Sequence, residues 1–269
     1  MKLDPIRKAA VSGQFYPSDC RELMKNITHF NQEFEKIDIP SSLKEVKPRA
    51  IIVPHAGYIY SGFTANTAYR FLHQAEAKRI IVIGPSHRYY FKGISGAYYE
   101  KYETPCGSLP IDSAYLFALA KEFNIIFEPK AHQQEHSTEV QMPFIRHYFP
   151  DTEIIELVYS DMAVKSLAKI ITALLHNPEN LVVISSDLSH FHNIDLAKRL
   201  DNICLKAIET QDIVLFDEGC EACGLIGIKA LILASQSLEL TSTLLDYRTS
   251  ADASGDDSSV VGYLSAMFY

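Results

Sequence analysis

Three short apolar runs in this chain each break into a polar turn that carries histidine. They read Ile51-Ile52-Val53-Pro54-His55-Ala56-Gly57-Tyr58, Ile80-Ile81-Val82-Ile83-Gly84-Pro85-Ser86-His87, and Leu181-Val182-Val183-Ile184-Ser185-Ser186-Asp187-Leu188-Ser189-His190. A β-branched run bounded by Pro, Gly or Ser is the pattern of a strand buried on both faces. Ligands of open α/β sheets bind in the crevice outside the carboxyl ends of such strands. Strands of this kind, each delivering histidine just past its carboxyl end, predict one polar site able to take a metal.

The rest of the chain alternates accordingly. Helical spacing runs from Gly62 to Ala75, with Ala65, Ala68, Phe71 and Leu72 on one stripe. The Tyr- and Gly-rich stretch 89–110 predicts short antiparallel pieces. Asp112 caps a helix running to about Phe123, and a further helix covers 137–147. A strand at 153–159, a helix from Ala163 to Leu175, and helices near 194–209 and 224–237 follow. Two closing strands, Glu239 to Tyr247 and Val260 to Phe268, flank an acidic polar loop, 249–259, read as mobile and placed to cover the site. No repeat, linker or composition break divides the 269 residues. The expectation is one α/β domain over 1–269, a three-layer α/β/α arrangement with a central mixed sheet between helices.

Several function classes drop out. A net charge of −8 with no basic run argues against a nucleic-acid partner. The first residues are charged with no apolar core of a signal peptide, and the longest apolar helical stretch, Leu225 to Ala234, is too short to span a membrane. The five cysteines are odd in number and irregular in spacing, unlike a disulfide framework, and point to a reducing cytoplasm. Phosphate-binding glycine loops and a Gly-x-Ser-x-Gly elbow are absent.

Within the candidate site, His55 and His87 form the leading pair, each in a turn that brings backbone close to a ligand. Asp187 either ligates a metal, orients a ligating histidine or caps its own turn, and His190 is the acid/base candidate. His192 belongs on the surface. His136, in Glu135-His136-Ser137-Thr138-Glu139, reads as a helix-start histidine whose neutral form is favoured there, suited to an anionic group or to carrying protons. Cys220-Glu221-Ala222-Cys223 is too isolated for a redox pair or a zinc half-site. A single thiolate from Cys223 joining two imidazoles is more coherent, although a lone buried cysteine is the commoner fate. Tyr58, Tyr60, Tyr89 and Tyr90 lie near the histidine turns and suit a planar ligand.

Val11-Ser12-Gly13-Gln14-Phe15-Tyr16-Pro17, Val53-Pro54-His55-Ala56-Gly57-Tyr58-Ile59-Tyr60-Ser61-Gly62, Gly84-Pro85-Ser86-His87, Glu135-His136-Ser137, Ser185-Ser186-Asp187-Leu188-Ser189-His190 and Ala222-Cys223-Gly224 together resemble the Memo family, whose microbial members are called AmmeMemoRadiSam system protein B. The resemblance covers nearly the whole chain, in order. It implies a fold similar to class III extradiol dioxygenases, in which two histidines and a carboxylate hold ferrous iron. By motif, His55 and His87 match the histidine ligands, Cys223 the third ligand, and His190 the proton-handling histidine, with Asp187 and His136 in support. A thiolate in place of the carboxylate makes a His2Cys site for iron or copper ahead of zinc. The implied activity is a metal-dependent oxidoreductase acting on a small molecule. The alternative is a binding module that takes a peptide or anionic ligand in the same pocket. AMMECR-type and radical SAM proteins are the implied system partners.

Overall fold

The computed structural model describes residues 4–269. In chain order its elements are β1 (Asp4–Arg7), α1 (Cys20–Phe34), β2 (Ala50–Val53), α2 (Tyr58–Leu72), β3 (Arg79–Pro85), β4 (Ile94–Gly96), β5 (Tyr99–Thr104), β6 (Gly107–Pro110), α3 (Ser113–Phe123), α4 (Lys130–Gln133), α5 (Met142–Tyr148), β7 (Glu153–Tyr159), α6 (Val164–His176), β8 (Asn180–Ser185), β9 (His190–His192), α7 (Ile194–Thr210), α8 (Leu225–Ser237), β10 (Ser242–Thr249), α9 (Ala251–Ser254) and β11 (Val260–Phe268). The main sheet runs β10-β11-β2-β8-β3-β7-β4, with β9 pairing on β11. Its centre, β2-β8-β3-β7, is parallel, and the outer strands β11, β10 and β4 are antiparallel to their neighbours. The sheet is therefore mixed.

Strands buried on both faces must feed two cores, and these do so by strict alternation. Ile52, Ile81, Ile83, Val182 and Ile184 enter one apolar cluster with α3, α6, α7 and α8. Ile51, Val53, Ile80, Val82, Leu181 and Val183 enter the other with α1, α2 and α5. That is the expected three-layer α/β/α sandwich.

Four local readings need correction. The helix expected from Gly62 begins at Tyr58, because Gly57 at the N-cap offers no side-chain signal and Tyr58 N–H is satisfied by the Phe15 carbonyl at 2.7 Å. The helix expected over 137–147 is a 3-10 turn at Glu139–Gln141 followed by α5, so His136 precedes a 3-10 turn, not an α-helix start. The 249–259 loop is not wholly irregular: it contains the helical turn α9, with Asp252 accepting from the Thr249 amide at 2.7 Å. Four of the five cysteines are paired, as Cys20–Cys106 and Cys204–Cys220, leaving Cys223 free. Irregular spacing hid both bonds, since connectivity depends on the fold; cysteine usage therefore gives no support for a reducing compartment. No helix among the described residues is long and apolar enough to cross a membrane.

β5 and β6 form the expected antiparallel pair, but in a separate three-stranded sheet with β1. The N-terminal segment is tied down by one buried carboxylate. Glu139 accepts from the Arg7 guanidinium at 2.6 Å, from the Ala10 and Val11 amides and from the Tyr16 hydroxyl. Arg7 also donates to the carbonyls of His132 and Glu135, at 2.6 and 2.9 Å.

Candidate metal centre

β2, β8 and β3 are adjacent and parallel, so their carboxyl ends open at one edge. His55 leaves β2, Asp187 and His190 leave β8, and His87 leaves β3. The loop before α5 brings His136 to the same place. The rings of His55, His87 and His136 lie edge to face or tilted, with centroids 5.1 Å (55–87), 5.3 Å (55–136) and 4.6 Å (87–136) apart. One nitrogen from each lies within 4.8 Å of the other two, the one set of three or more possible ligand atoms this close among the described residues.

The hydrogen-bond network assigns the tautomers. The Ser185 hydroxyl gives its proton to the Ser137 carbonyl at 2.5 Å. It must therefore accept from His55 Nδ1, 2.9 Å away, which leaves the Nε2 lone pair of His55 free. His87 Nδ1 donates to Glu135 at 3.0 Å, again freeing Nε2. His136 Nδ1 sits 3.3 Å from the same Glu135 oxygen without hydrogen-bond geometry. Such Nδ1 partners are the usual supports of a metal-binding imidazole.

Electrostatics keep His55 and His136 unprotonated. Burial, reinforced by His87, His136 and His190, drives the His55 pKa well below the ordinary value. Burial and then His87 lower His136 to about 4. Burial also lowers His190, at the edge of the site. Burial opposes the charge of Glu135, yet His87 and the amides of His87 and Ser137 hold it at about 2. This fully buried carboxylate also accepts from the His136 amide, so it shapes two of the three histidines. Glu135 was visible in sequence only as part of a polar cluster; its burial was the missing signal.

Cys223 and Asp187 complete the floor. The thiol lies 3.2 Å from His55 Nε2, and its sulfur accepts from the Asp187 amide at 3.2 Å. A nitrogen and a sulfur bound to one tetrahedral ion, at about 2.0 and 2.3 Å, stand about 3.5 Å apart, so the spacing suits a shared ion. Cys223 is close to His55 but stands outside the tight set that includes His136. Burial, then Asp187, pushes its pKa up to about 12, so without a metal the thiol is protonated and points a weak donor at His55. Asp187 accepts from the His55 amide at 2.7 Å, and its carboxylate reaches to 4.0 Å from His55 Nε2. Burial raises it to about 7. Asp187 therefore supports the His55 turn. His192 is half-exposed and bonded to Glu221 at 2.8 Å. Tyr58, expected near a ligand, is buried, stacks on Phe144 and donates to the Val140 carbonyl.

The family model for Memo-like proteins matches residues 7–267. The chain belongs to the Memo-like family. It is 35% identical over 280 residues to a MEMO1 family protein of Methanobrevibacter smithii, covering 98% of this chain and 99% of that one. It is 32% identical to MEMO1 family proteins of Saccharolobus islandicus (strain Y.G.57.14 / Yellowstone #1) and Metallosphaera sedula, in each case over 97% of this chain and 99% of the relative. A crystal structure of an uncharacterized protein of Escherichia coli K12 shares the fold, with a TM-score of 0.52 at 15% identity, over 82% of this chain and all of that one. The Memo-like pattern of the sequence thus coincides with a histidine cluster at one edge of the sheet.

Proposed function

We propose that this Memo-like protein binds one metal ion, iron or copper ahead of zinc, and acts as a metal-dependent redox protein on a small substrate. The observation that carries this reading is the set of three imidazoles with one nitrogen each within 4.8 Å of the other two, two of them anchored through Nδ1. His55 and His87 are the constant pair of ligands. Cys223 is the thiolate ligand and His136 a further imidazole beside them, a mixed donor set suited to these metals. The ion would supply a redox centre and a Lewis acid. The chain's own residues do the rest: Glu135 orients His87, Ser185 sets the His55 tautomer, Asp187 holds the His55 turn, and His190 is placed to take or give a proton at the edge of the site.

A second reading has one observation in its favour. The residues next to the histidine turns include exposed apolar side chains, Ile59 at 77%, Tyr90 at 72% and Phe191 at 79% exposure, which suit a peptide ligand in the same pocket. Metal content and affinity decide between the two. Anaerobically reduced protein is expected to bind one equivalent of Fe(II) or Cu(I), with binding lost in H55A and H87A. Failure to bind iron, copper or zinc stoichiometrically would sink the metal reading and leave the peptide one.

A further inference from the structure

We infer that the Cys204–Cys220 disulfide is the positioning device for Cys223, holding its thiol beside His55. The inference rests on the metal-site reading and extends it to two residues outside the site. Cys204 lies on α7, and its partner follows Gly219, whose φ of 122° turns the chain back into the core. Both sulfurs sit in the apolar cluster packed with α6 and α8, Cys204 fully buried and Cys220 nearly so. The bond is thus a static restraint, shielded from thiols in solution.

Two residues separate Cys220 from Cys223, so the chain between their Cα atoms can extend at most about 11 Å. On its other side the chain passes through Gly224 into α8, and hydrogen bonds tie the turn to the one after β8. The Cys223 amide donates to the Asp187 carbonyl at 3.2 Å, its sulfur accepts from the Asp187 amide, and the Gly224 amide donates to the Ser186 hydroxyl at 2.9 Å. Sulfur is a poor hydrogen-bond acceptor. The segment therefore spans three anchors: α7 through the disulfide, α8 through the continuing chain at its N-cap Gly224, and the turn after β8 through hydrogen bonds. Removing the disulfide leaves the thiol held from its α8 side and by hydrogen bonds alone, so that it can shift away from the imidazoles.

The second disulfide makes an internal control. Cys20–Cys106 closes a far longer loop, 86 residues against 16, and joins the start of α1 to the turn between β5 and β6. Its loss costs more chain entropy but touches no part of the Cys223 segment. Each double variant, C204A/C220A and C20A/C106A, keeps Cys223 as its single free thiol. Two readouts apply: the rate of Cys223 alkylation by iodoacetamide in metal-free protein, and the near-ultraviolet thiolate-to-metal absorption of the Co(II) complex.

C204A/C220A is expected to alkylate at least about tenfold faster than wild type, and to lose the thiolate band while keeping the visible bands of imidazole-bound Co(II). C20A/C106A is expected to lower Tm and leave both readouts at wild-type values. Should the alanine pair fail to fold, C204V/C220A restores the buried volume and serves in its place. A wild-type alkylation rate in C204A/C220A, or an equal acceleration in C20A/C106A, would overturn the inference. A wild type that takes up no Co(II) speaks against the metal reading alone, since the alkylation rates decide the tether without metal.

Discussion

Glu135 concentrates more of the site's order than any histidine it serves. A buried carboxylate beside His87 Nδ1, accepting as well from three backbone amides, fixes one ring and the path of the chain that carries another. Replacing it by glutamine puts an NH2 group among donors that need an acceptor. E135Q is expected to lower metal affinity about 10–100-fold and to cost about 1–3 kcal/mol of stability, read by Co(II) titration and urea unfolding. Unchanged affinity would mean that His87 needs no carboxylate. At this scale the sequence was legible where a residue followed a strand: His55, His87, Asp187 and His190 all stand where the strand-end argument put them. It was less legible for His136. Its ring is neutral through burial and its neighbour His87, not through a helix dipole, and such burial comes from segments distant in sequence.

Among the elements, two of the ligand-bearing turns are tightly packed at their glycines. A Cβ on Gly224 would stand 2.6 Å from Ser186 Cβ and 2.8 Å from the Ser185 carbonyl oxygen, and one on Gly84 would stand 2.6 Å from Ser137 Oγ. G224A is expected to destabilise by about 1–3 kcal/mol and displace Cys223, measured as a lowered Tm together with a weaker Co(II) thiolate band. A pH-dependent contribution comes from α3. Asp112 caps this helix and pairs with Arg79 at the start of β3 at 2.5 Å. Burial opposes its charge, but the Tyr115 amide and Arg79 hold its pKa below the usual carboxylate value. A lowered folded pKa gives stability that is complete above the unfolded value and is lost as pH falls through the folded one. D112A is therefore expected to be about 1 kcal/mol less stable than wild type at pH 7, with the gap narrowing as the pH falls below about 4. Urea unfolding at both ends of that range checks it; a constant gap would assign the loss to packing. Asp112 was readable as a cap because its signal is local. The start of α2 was not, since the group that satisfies it is the Phe15 carbonyl, brought in by the N-terminal segment.

Across the whole molecule, the layers and the parallel centre of the sheet were legible because doubly buried strands advertise themselves in composition. The pairing of β1 with β5 and the Arg7–Glu139 clamp were not, because their partners are 95 and 132 residues apart and are brought together by topology alone. The clamp seats Phe15 against His136, with ring centroids 4.9 Å apart. E139Q leaves the buried Arg7 without its counter-charge and is expected to cost about 3–5 kcal/mol, seen as a lowered urea midpoint; a loss under 1 kcal/mol would show that the carbonyls of His132 and Glu135 suffice for Arg7. The position of β11 has a consequence in time. The final strand is not an edge: it lies between β10 and β2, beside the strand that delivers His55. β2 therefore keeps an open seam until Ala266, 214 residues after its partner Ile52, has been made and has docked. Closing that seam waits on contacts of very long sequence separation, a slow and aggregation-exposed route. The strand that delivers His55 is thus among the last parts of the sheet to be secured, and whatever fills the pocket meets a finished wall only after β11 is in place.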